Sequence, residues 1–188
     1  IKIGRRGSLS GTIKITGTQG HIAYPHLSKN PINTLVAICK KLKEKKLDKG
    51  TRNFQPSNLE FTSINVNNKA HNVIPARAEA QFNIRYNNLH TSMTLKRKVT
   101  NIVKKISKKT KCNYKIEYMA NGDAFLTKPD KTIHLIKRII KKVTKLDPKF
   151  STTGGTSDAR FIKKISPCLE FGLVNKTMHR VDECVSLS

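Results

Sequence analysis

Alternating apolar and polar residues mark four strands in the first two thirds of the chain. The segments cover residues 8–17, about 58–66, about 74–86 and about 114–118. The third is the clearest: Ala78, Ala80 and Phe82 share one face of a predicted strand, and polar side chains occupy the other. In the second segment the apolar residues change parity near Ser63, which predicts a β-bulge there.

Two segments between these strands have apolar residues at helical spacing. Asn30 and Pro31 begin the first helix, because asparagine caps a helix start and proline fits its first position. We expect the turn-forming run at 48–50 to end it, and a second helix to cover about 91–109. The order β-α-β-β-α-β over about residues 8–119 predicts a ferredoxin-like α+β domain, an antiparallel sheet with two helices on one face.

After residue 121 the pattern changes to an α/β order. The sequence predicts a helix at about 130–145, a loop over 152–158, a helix that carries Phe161 and Ile162, and a short buried strand over 168–171. This order is the end of an α/β layer that is incomplete as written. The chain begins at Ile1 rather than at methionine, and we expect it to be a fragment.

The chain is strongly basic: 37 lysine and arginine residues stand against 12 aspartate and glutamate residues, and the formal net charge is +25. A charge of this size is typical of nucleic-acid binding. It also arises from compositional drift in a chain rich in lysine, isoleucine and asparagine. The lysines are spread along predicted helix faces rather than gathered into one tract, which favours drift.

Cysteine usage and hydropathy point to a cytoplasmic protein. No apolar run approaches the length of a membrane span, and we expect no signal peptide. The four cysteines, Cys39, Cys112, Cys168 and Cys184, form no C-x-x-C pair and lie in apolar stretches. They predict reduced thiols rather than a disulfide framework or a cysteine-ligated zinc site.

Two features of the last third could carry chemistry. His179 follows the predicted buried strand, and ligands of α/β sheets lie at such strand ends. A neutral imidazole there is a good zinc ligand, although a loop histidine can also cap or pack. Upstream, Gly154 and Gly155 precede a predicted helix, so backbone N–H groups could bind a carboxylate or phosphate. The alternative is an ordinary helix cap at Ser157.

Polar residues in the first half offer a second set of candidates. His21 follows Gly20 and could donate a hydrogen bond to an oxyanion, or could be a solvated turn histidine. Arg5, Arg6 and Arg85 could bind carboxylates bidentately, or could be surface cations. Asn72 lies just before a predicted strand and could be a turn residue.

Seven short strings occur in the same order in one family of bacterial enzymes. They begin at Gly4 (GRRGS), Gly20 (GHIAYPHL), Asn72 (NVIPA), Phe82 (FNIRY), Phe125 (FLTKP), Gly154 (GGTSD) and Met178 (MHRVDECV). With these strings the chain resembles the bacterial succinyl-diaminopimelate desuccinylase family, within the superfamily of two-zinc aminoacylases and carboxypeptidases. The resemblance runs from residue 1 to about residue 187.

The resemblance implies a metal-dependent hydrolase that acts on the amide of a small molecule, N-succinyl-LL-2,6-diaminopimelate, as a homodimer. It implies two zinc ions per active site, with cobalt as a substitute. It also divides the chain into three parts: the end of a catalytic-domain segment or hinge at 1–7, a ferredoxin-like dimerisation (lid) domain at 8–120, and the C-terminal portion of an α/β zinc-hydrolase catalytic domain at 121–188.

The resemblance also implies roles for single residues. His179 would be a zinc ligand, and His21 would act at the oxyanion by reaching across the dimer. The residues that would hold the carboxylates and the amide of the substrate are Arg5, Tyr24, Asn72, Arg85, Gly155, Thr156 and Asn175.

The chain also departs from the family pattern. The family's other metal ligands and its general base lie in an N-terminal half that is absent here, and one histidine cannot hold two zinc ions. His71 and Asp182 stand where the family usually has asparagine. We therefore expect the 188-residue chain alone to be inactive.

Two other functions remain open. A ferredoxin-like sheet can bind RNA, but such domains stack bases on aromatic residues of the sheet face. The open face of the third strand has no aromatic residue, so a nucleic-acid partner is not expected; its residues are Arg77, Glu79, Gln81, Asn83 and Arg85. The other function is a dimerisation module without catalysis, left by a split or decayed gene.

Overall fold

The computed structural model describes residues 1–172, 177–178 and 180–185. The strands are β1 (Gly4–Arg5), β2 (Gly7–Thr16), β3 (Gly20–His21), β4 (Asn58–Asn65), β5 (Val73–Ile74), β6 (Arg77–Tyr86), β7 (Asn113–Ala120) and β8 (Phe125–Leu126). The helices are α1 (Pro31–Glu44), α2 (Ser92–Thr110), α3 (Lys131–Thr144) and α4 (Ala159–Ile162). A short 3-10 turn covers Pro25–Leu27.

The main sheet has four antiparallel strands in the order β4-β6-β2-β7, and α1 and α2 pack against it. This order confirms the predicted ferredoxin-like topology. A register shift between Phe61 and Ser63 confirms the predicted bulge. The side chain of Asn30 accepts a hydrogen bond from the N–H of Ile32 at 2.9 Å, so the predicted cap of α1 is also confirmed.

The core lies between the sheet and these two helices. Ile13 and Ile84 are fully buried on neighbouring strands, and Leu95 of α2 belongs to the same cluster. Gly11 occurs among them because an added Cβ would lie 2.5 Å from the ring of Phe82. Burial of each large apolar side chain contributes about 1.5–3 kcal/mol. The strand register is therefore fixed, because a slip by one residue would turn the apolar face to water.

Two boundaries differ from the predictions. α1 ends at Glu44, because the run at 48–50 belongs to a separate loop built around Asp48. The carboxylate of Asp48 accepts hydrogen bonds from the N–H of Gly50 at 2.6 Å and from the side-chain amide of Asn87 at 2.7 Å. The third predicted strand is interrupted at Pro75, which has no N–H to donate, and β5 pairs with β3 instead.

The remaining described residues join this domain through β1 and β8, which pair antiparallel with each other, and through a hydrogen bond that the hydroxyl of Thr152 donates to the carbonyl of Asn53. The predicted helix at 130–145 is confirmed as α3, and the side chain of Asp130 caps it. The predicted strand over 168–171 is wrong. Within this segment only Glu170 forms a β-bridge, and its partner is Lys2. No neighbouring residue of the segment pairs in the same way, so the bridge does not extend into a strand.

Candidate functional site

Arg5 and the glycine loop lie against each other. The Nε of Arg5 donates to Oε2 of Glu170 at 2.6 Å, and its Nη1 donates to the carbonyl of Thr153 at 3.1 Å. Gly154 has a φ of +104°, and an added Cβ there would lie 2.5 Å from Nη1 of Arg5. The backbone conformation therefore favours glycine at this position, and the terminal nitrogen of Arg5 occupies the space that a side chain would need.

The rest of the loop is more open. Nothing lies within 4 Å of a Cβ built on Gly155, and Thr156 is half-buried beside it. α4 has only four residues, so the expected anion site at a helix start is not supported. The alternative, a helix cap at Ser157, is wrong, because the cap position is Asp158 and its side chain makes no capping bond.

His21, Tyr24 and Asn72 form a second cluster at the exposed tip of the ferredoxin-like domain. The carbonyl of Asn72 accepts from the N–H of Ile22 at 3.0 Å, and the rings of His21 and Tyr24 lie 6.1 Å apart. Nδ1 of His21 accepts a hydrogen bond from the N–H of Ala23 at 3.1 Å. In the neutral ring the proton is then on Nε2, which is left as a donor on an exposed side chain.

Arg85, on β6, neighbours Arg6. Burial and then the charge of Arg85 lower the pKa of the Arg6 guanidinium. Within the part of the chain that the structure describes, the buried Nη1 of Arg85 and Nε of Arg6 have no hydrogen-bond partner. Two adjacent cations with unfilled N–H donors would be stabilised by an anion.

Sequence reasoning considered Arg6, together with Arg5, as a candidate for binding carboxylates, but it assigned no role to Glu170. No comparable signal marks Glu170, since its contact with Arg5 joins residues 165 positions apart.

The structure does not bring all the predicted site residues together. Among the described residues, no hydrogen bond, ion pair or ring contact links the His21 cluster to Arg5 or to Arg85. Asn175 and His179 lie outside the described residues. In residues 1–172, 177–178 and 180–185, no group of three or more histidine, cysteine, aspartate or glutamate side chains could hold a metal ion. The zinc or cobalt site implied by the resemblance is therefore not formed by this part of the chain.

Other features bear on the rival functions. All four cysteines are free thiols, and burial raises the pKa of the Cys39 thiol to about 11.

On the open face of the sheet, Glu117 pairs with Lys14 at 2.9 Å and with Lys115 at 3.0 Å, so part of the basic charge is neutralised locally. A search of the described helices for one long and apolar enough to cross a bilayer finds none.

Comparisons with known proteins agree with this fold. The family model described as the peptidase dimerisation domain matches residues 3–111. The chain is 63% identical over 188 residues to a succinyl-diaminopimelate desuccinylase of Pelagibacter ubique (strain HTCC1062), covering all of this chain and 49% of that protein. It is 46% identical to the protein of the same name from Rickettsia bellii (strain RML369-C), covering all of this chain and 48% of that protein. The chain thus spans about half the length of the curated relatives it matches.

Solved structures show the same fold at low sequence identity. A tripeptidase from Staphylococcus aureus matches with a TM-score of 0.72 at 14% identity, over 86% of this chain and 42% of that one. Aminopeptidase PepT from Bacillus cereus matches with a TM-score of 0.73 at 15% identity, over 87% and 42% respectively.

Proposed function

Because the chain belongs to the peptidase dimerisation domain family, we propose that it supplies the dimerisation domain and part of the catalytic domain of a succinyl-diaminopimelate desuccinylase. One observation carries the proposal: Arg5 is held against the Gly154 loop in a chain 63% identical, over its whole length, to a protein of that name. The reaction is hydrolysis of the amide of N-succinyl-LL-2,6-diaminopimelate to LL-diaminopimelate and succinate.

The charges of this substrate suit the two arginine positions. It carries several carboxylates, and guanidinium groups bind carboxylates through paired N–H donors. Arg5 would hold one carboxylate beside the backbone of Gly155 and Thr156. Arg85, with Arg6 beside it, would hold another, because two neighbouring guanidinium groups favour an anion near them.

His21 is the group that would act at the scissile amide. Its Nε2–H can donate to the oxygen on which negative charge develops. Tyr24 and Asn72, in the same cluster, would orient the substrate around it. His21 and Arg5 have no direct link within the described residues, which supports the proposal that His21 serves the active site of a second subunit.

The metal would come from a site only partly supplied by this chain. Two zinc ions, or cobalt in their place, would polarise the amide carbonyl when bound. His179 would give one ligand, and residues outside the chain would give the others. Asn175, close to it in sequence, would contact the substrate. The free thiols support a cytoplasmic location.

We propose that the homodimer forms through β4 and α1. β4 is an edge strand, and next to it lies an apolar groove of about 290 Å³. Its walls include Val36, 57% exposed, and Ile64, 61% exposed. An edge strand with exposed apolar neighbours is stabilised when a second copy covers it.

Sedimentation of the purified chain tests this surface. Ile64→Lys places a charge in the groove and is expected to weaken the dimer at least tenfold, about 1.4 kcal/mol. Met119→Lys on β7, the opposite edge strand, is the control, because Met119 is equally exposed at 62%. Equal loss of dimer in both variants, or in neither, would contradict this assignment.

Activity is tested with a hybrid protein in which this chain replaces the 188 aligned residues of the Pelagibacter ubique relative. Supplied with zinc, the hybrid should hydrolyse the succinylated substrate, whereas the chain alone should not. Hydrolysis of N-acetylated amino acids instead would reassign the substrate. Turnover by the chain alone would show that it holds a complete site.

A further inference from the structure

We propose that Glu170 is a positioning residue that aims the Arg5 guanidinium at a substrate carboxylate. This inference rests on the proposed function, in which Arg5 binds the substrate. It concerns a residue for which neither the sequence pattern nor the resemblance suggests a role.

The two hydrogen bonds of Arg5 leave N–H donors of its guanidinium for a substrate carboxylate. A guanidinium has five N–H donors. Glu170 takes the Nε–H at 2.6 Å and the carbonyl of Thr153 takes one from Nη1 at 3.1 Å. Three donors on the two terminal nitrogens remain, and they suit the two oxygens of a carboxylate.

Glu170 is itself firmly placed. Its backbone exchanges two hydrogen bonds with Lys2, at 2.8 and 2.9 Å, three residues before Arg5. The side chains of Arg5 and Glu170 are only 17% and 29% exposed, so the ion pair is partly shielded from water. Such a pair restricts the orientation of the guanidinium more than a fully solvated ion pair would.

Gly154 limits the guanidinium from the opposite side. Its missing side chain leaves the space that Nη1 occupies, because a Cβ there would approach to 2.5 Å. The arginine is thus fixed by a carboxylate at one edge and by the loop at the other. A substrate carboxylate then meets a guanidinium that is already oriented, and little side-chain freedom is lost on binding.

The first test measures kinetics of the hybrid protein. Glu170→Gln keeps an acceptor oxygen but removes the charge, and it should raise KM about tenfold while kcat changes less than about threefold. Glu170→Asp keeps the charge and should recover part of the loss. In an Arg5→Ala background, Glu170→Gln should have no further effect, because Glu170 acts through Arg5. Independent, additive effects of the two changes would overturn the proposal.

A second test needs no activity. In the chain itself, the ¹⁵Nε–H signal of Arg5 reports its bond to Glu170. Glu170→Gln should shift this signal, speed its exchange with water and weaken its response to added succinate. Glu60→Gln is the matched control, because Glu60 also makes a 2.6 Å ion pair, with Lys43.

The two tests separate the two proposals. If the hybrid hydrolyses no succinylated substrate, the proposed function fails, but the Arg5 signal still decides the role of Glu170. An Arg5 signal that is the same in Glu170→Gln and in the unaltered chain would overturn the positioning role, whatever the activity.

Discussion

The two parts of the chain differ in how far they cover their own apolar side chains. In the ferredoxin-like domain, Phe82 is 1% exposed and Ile84 is fully buried. In the second part, Ile133 of α3 is buried, but Ile139 and Val143 on the same helix are 51% and 74% exposed. An apolar pattern thus predicts a helix equally well in both parts, yet it does not show whether the chain itself supplies the surface that covers it.

The difference follows from which layers are present. The first part contains a four-stranded sheet and both helices that pack on it. The second part contains α3, the short α4 and a two-residue strand, β8, but among its described residues no sheet wide enough to cover a helix. Its exposed apolar residues, which also include Phe161 and Ile165, support the proposal that residues outside the chain complete this layer.

The largest expected effect contrasts two phenylalanines. Phe82→Ala should lower the free energy of unfolding by about 3–5 kcal/mol, because it empties a packed core. Phe161→Ala removes a ring that is 56% exposed and rests on Arg160, and it should cost less than about 1 kcal/mol. Urea unfolding followed by circular dichroism measures both. Equal losses would mean that the two parts are equally packed.

The next largest effect is a dependence of stability on pH in the ferredoxin-like domain. Burial alone would raise the pKa of the Asp48 carboxyl. Hydrogen bonds from Ser57, Gly50 and Asn87 outweigh this effect and lower the pKa from 3.8 to about 2. A depressed pKa stabilises the folded state above pH 3.8, and this contribution is lost as the pH falls toward 2. The loss should be on the order of 1–2 kcal/mol.

Unfolding midpoints between pH 5 and about 2 measure this contribution. Asp48→Asn should be less stable at pH 5 and should show a flatter dependence. An unaltered slope in this variant would assign the acid sensitivity to other carboxylates.

A smaller effect is expected in the loop of the second part. Gly154→Ala combines a φ of +104° with a Cβ 2.5 Å from Arg5, and it should cost about 1–2 kcal/mol. Gly155→Ala, one residue later, meets nothing within 4 Å and should change stability by less than about 1 kcal/mol. The same unfolding assay compares them. A larger cost at Gly155 would mean that the loop is held differently.

The smallest effect in the chain alone is expected on the exposed face of α3. In the chain alone, Ile139→Lys should change stability by no more than about 0.5 kcal/mol, because the side chain already meets water. In the hybrid protein the same change should cost more than about 1.5 kcal/mol, since the face would then be covered. A similar small cost in both proteins would contradict the proposal that the other half packs there.

Sequence reasoning was most successful where the structure is local. The strand alternation around Ala80, the cap at Asn30 and the bulge near Ser63 all depend on neighbouring residues, and the structure confirms each of them. It was wrong over 168–171, because an apolar run indicates burial and does not reveal whether a partner strand exists.

The candidate site shows the same limit. The motifs identified Arg5 and Gly154, but not the carboxylate of Glu170 that fixes the arginine, because that contact joins distant parts of the chain. Eight predicted roles stay predictions in addition to that of Arg5: those of His21, Tyr24, Asn72, Arg85, Gly155 and Thr156, and those of Asn175 and His179, which lie outside the described residues.

The pairing of β1 with β8 limits how the sheet can move relative to the rest of the molecule. The chain enters the sheet just after Arg5 and leaves it just before Phe125, and these two residues are partners in one ladder. Two ribbons bonded side by side bend easily across their plane but resist twisting about their length. We therefore expect a rotation of the sheet against the rest of the molecule to bend this ladder and to break the hydrogen bond between Thr152 and Asn53.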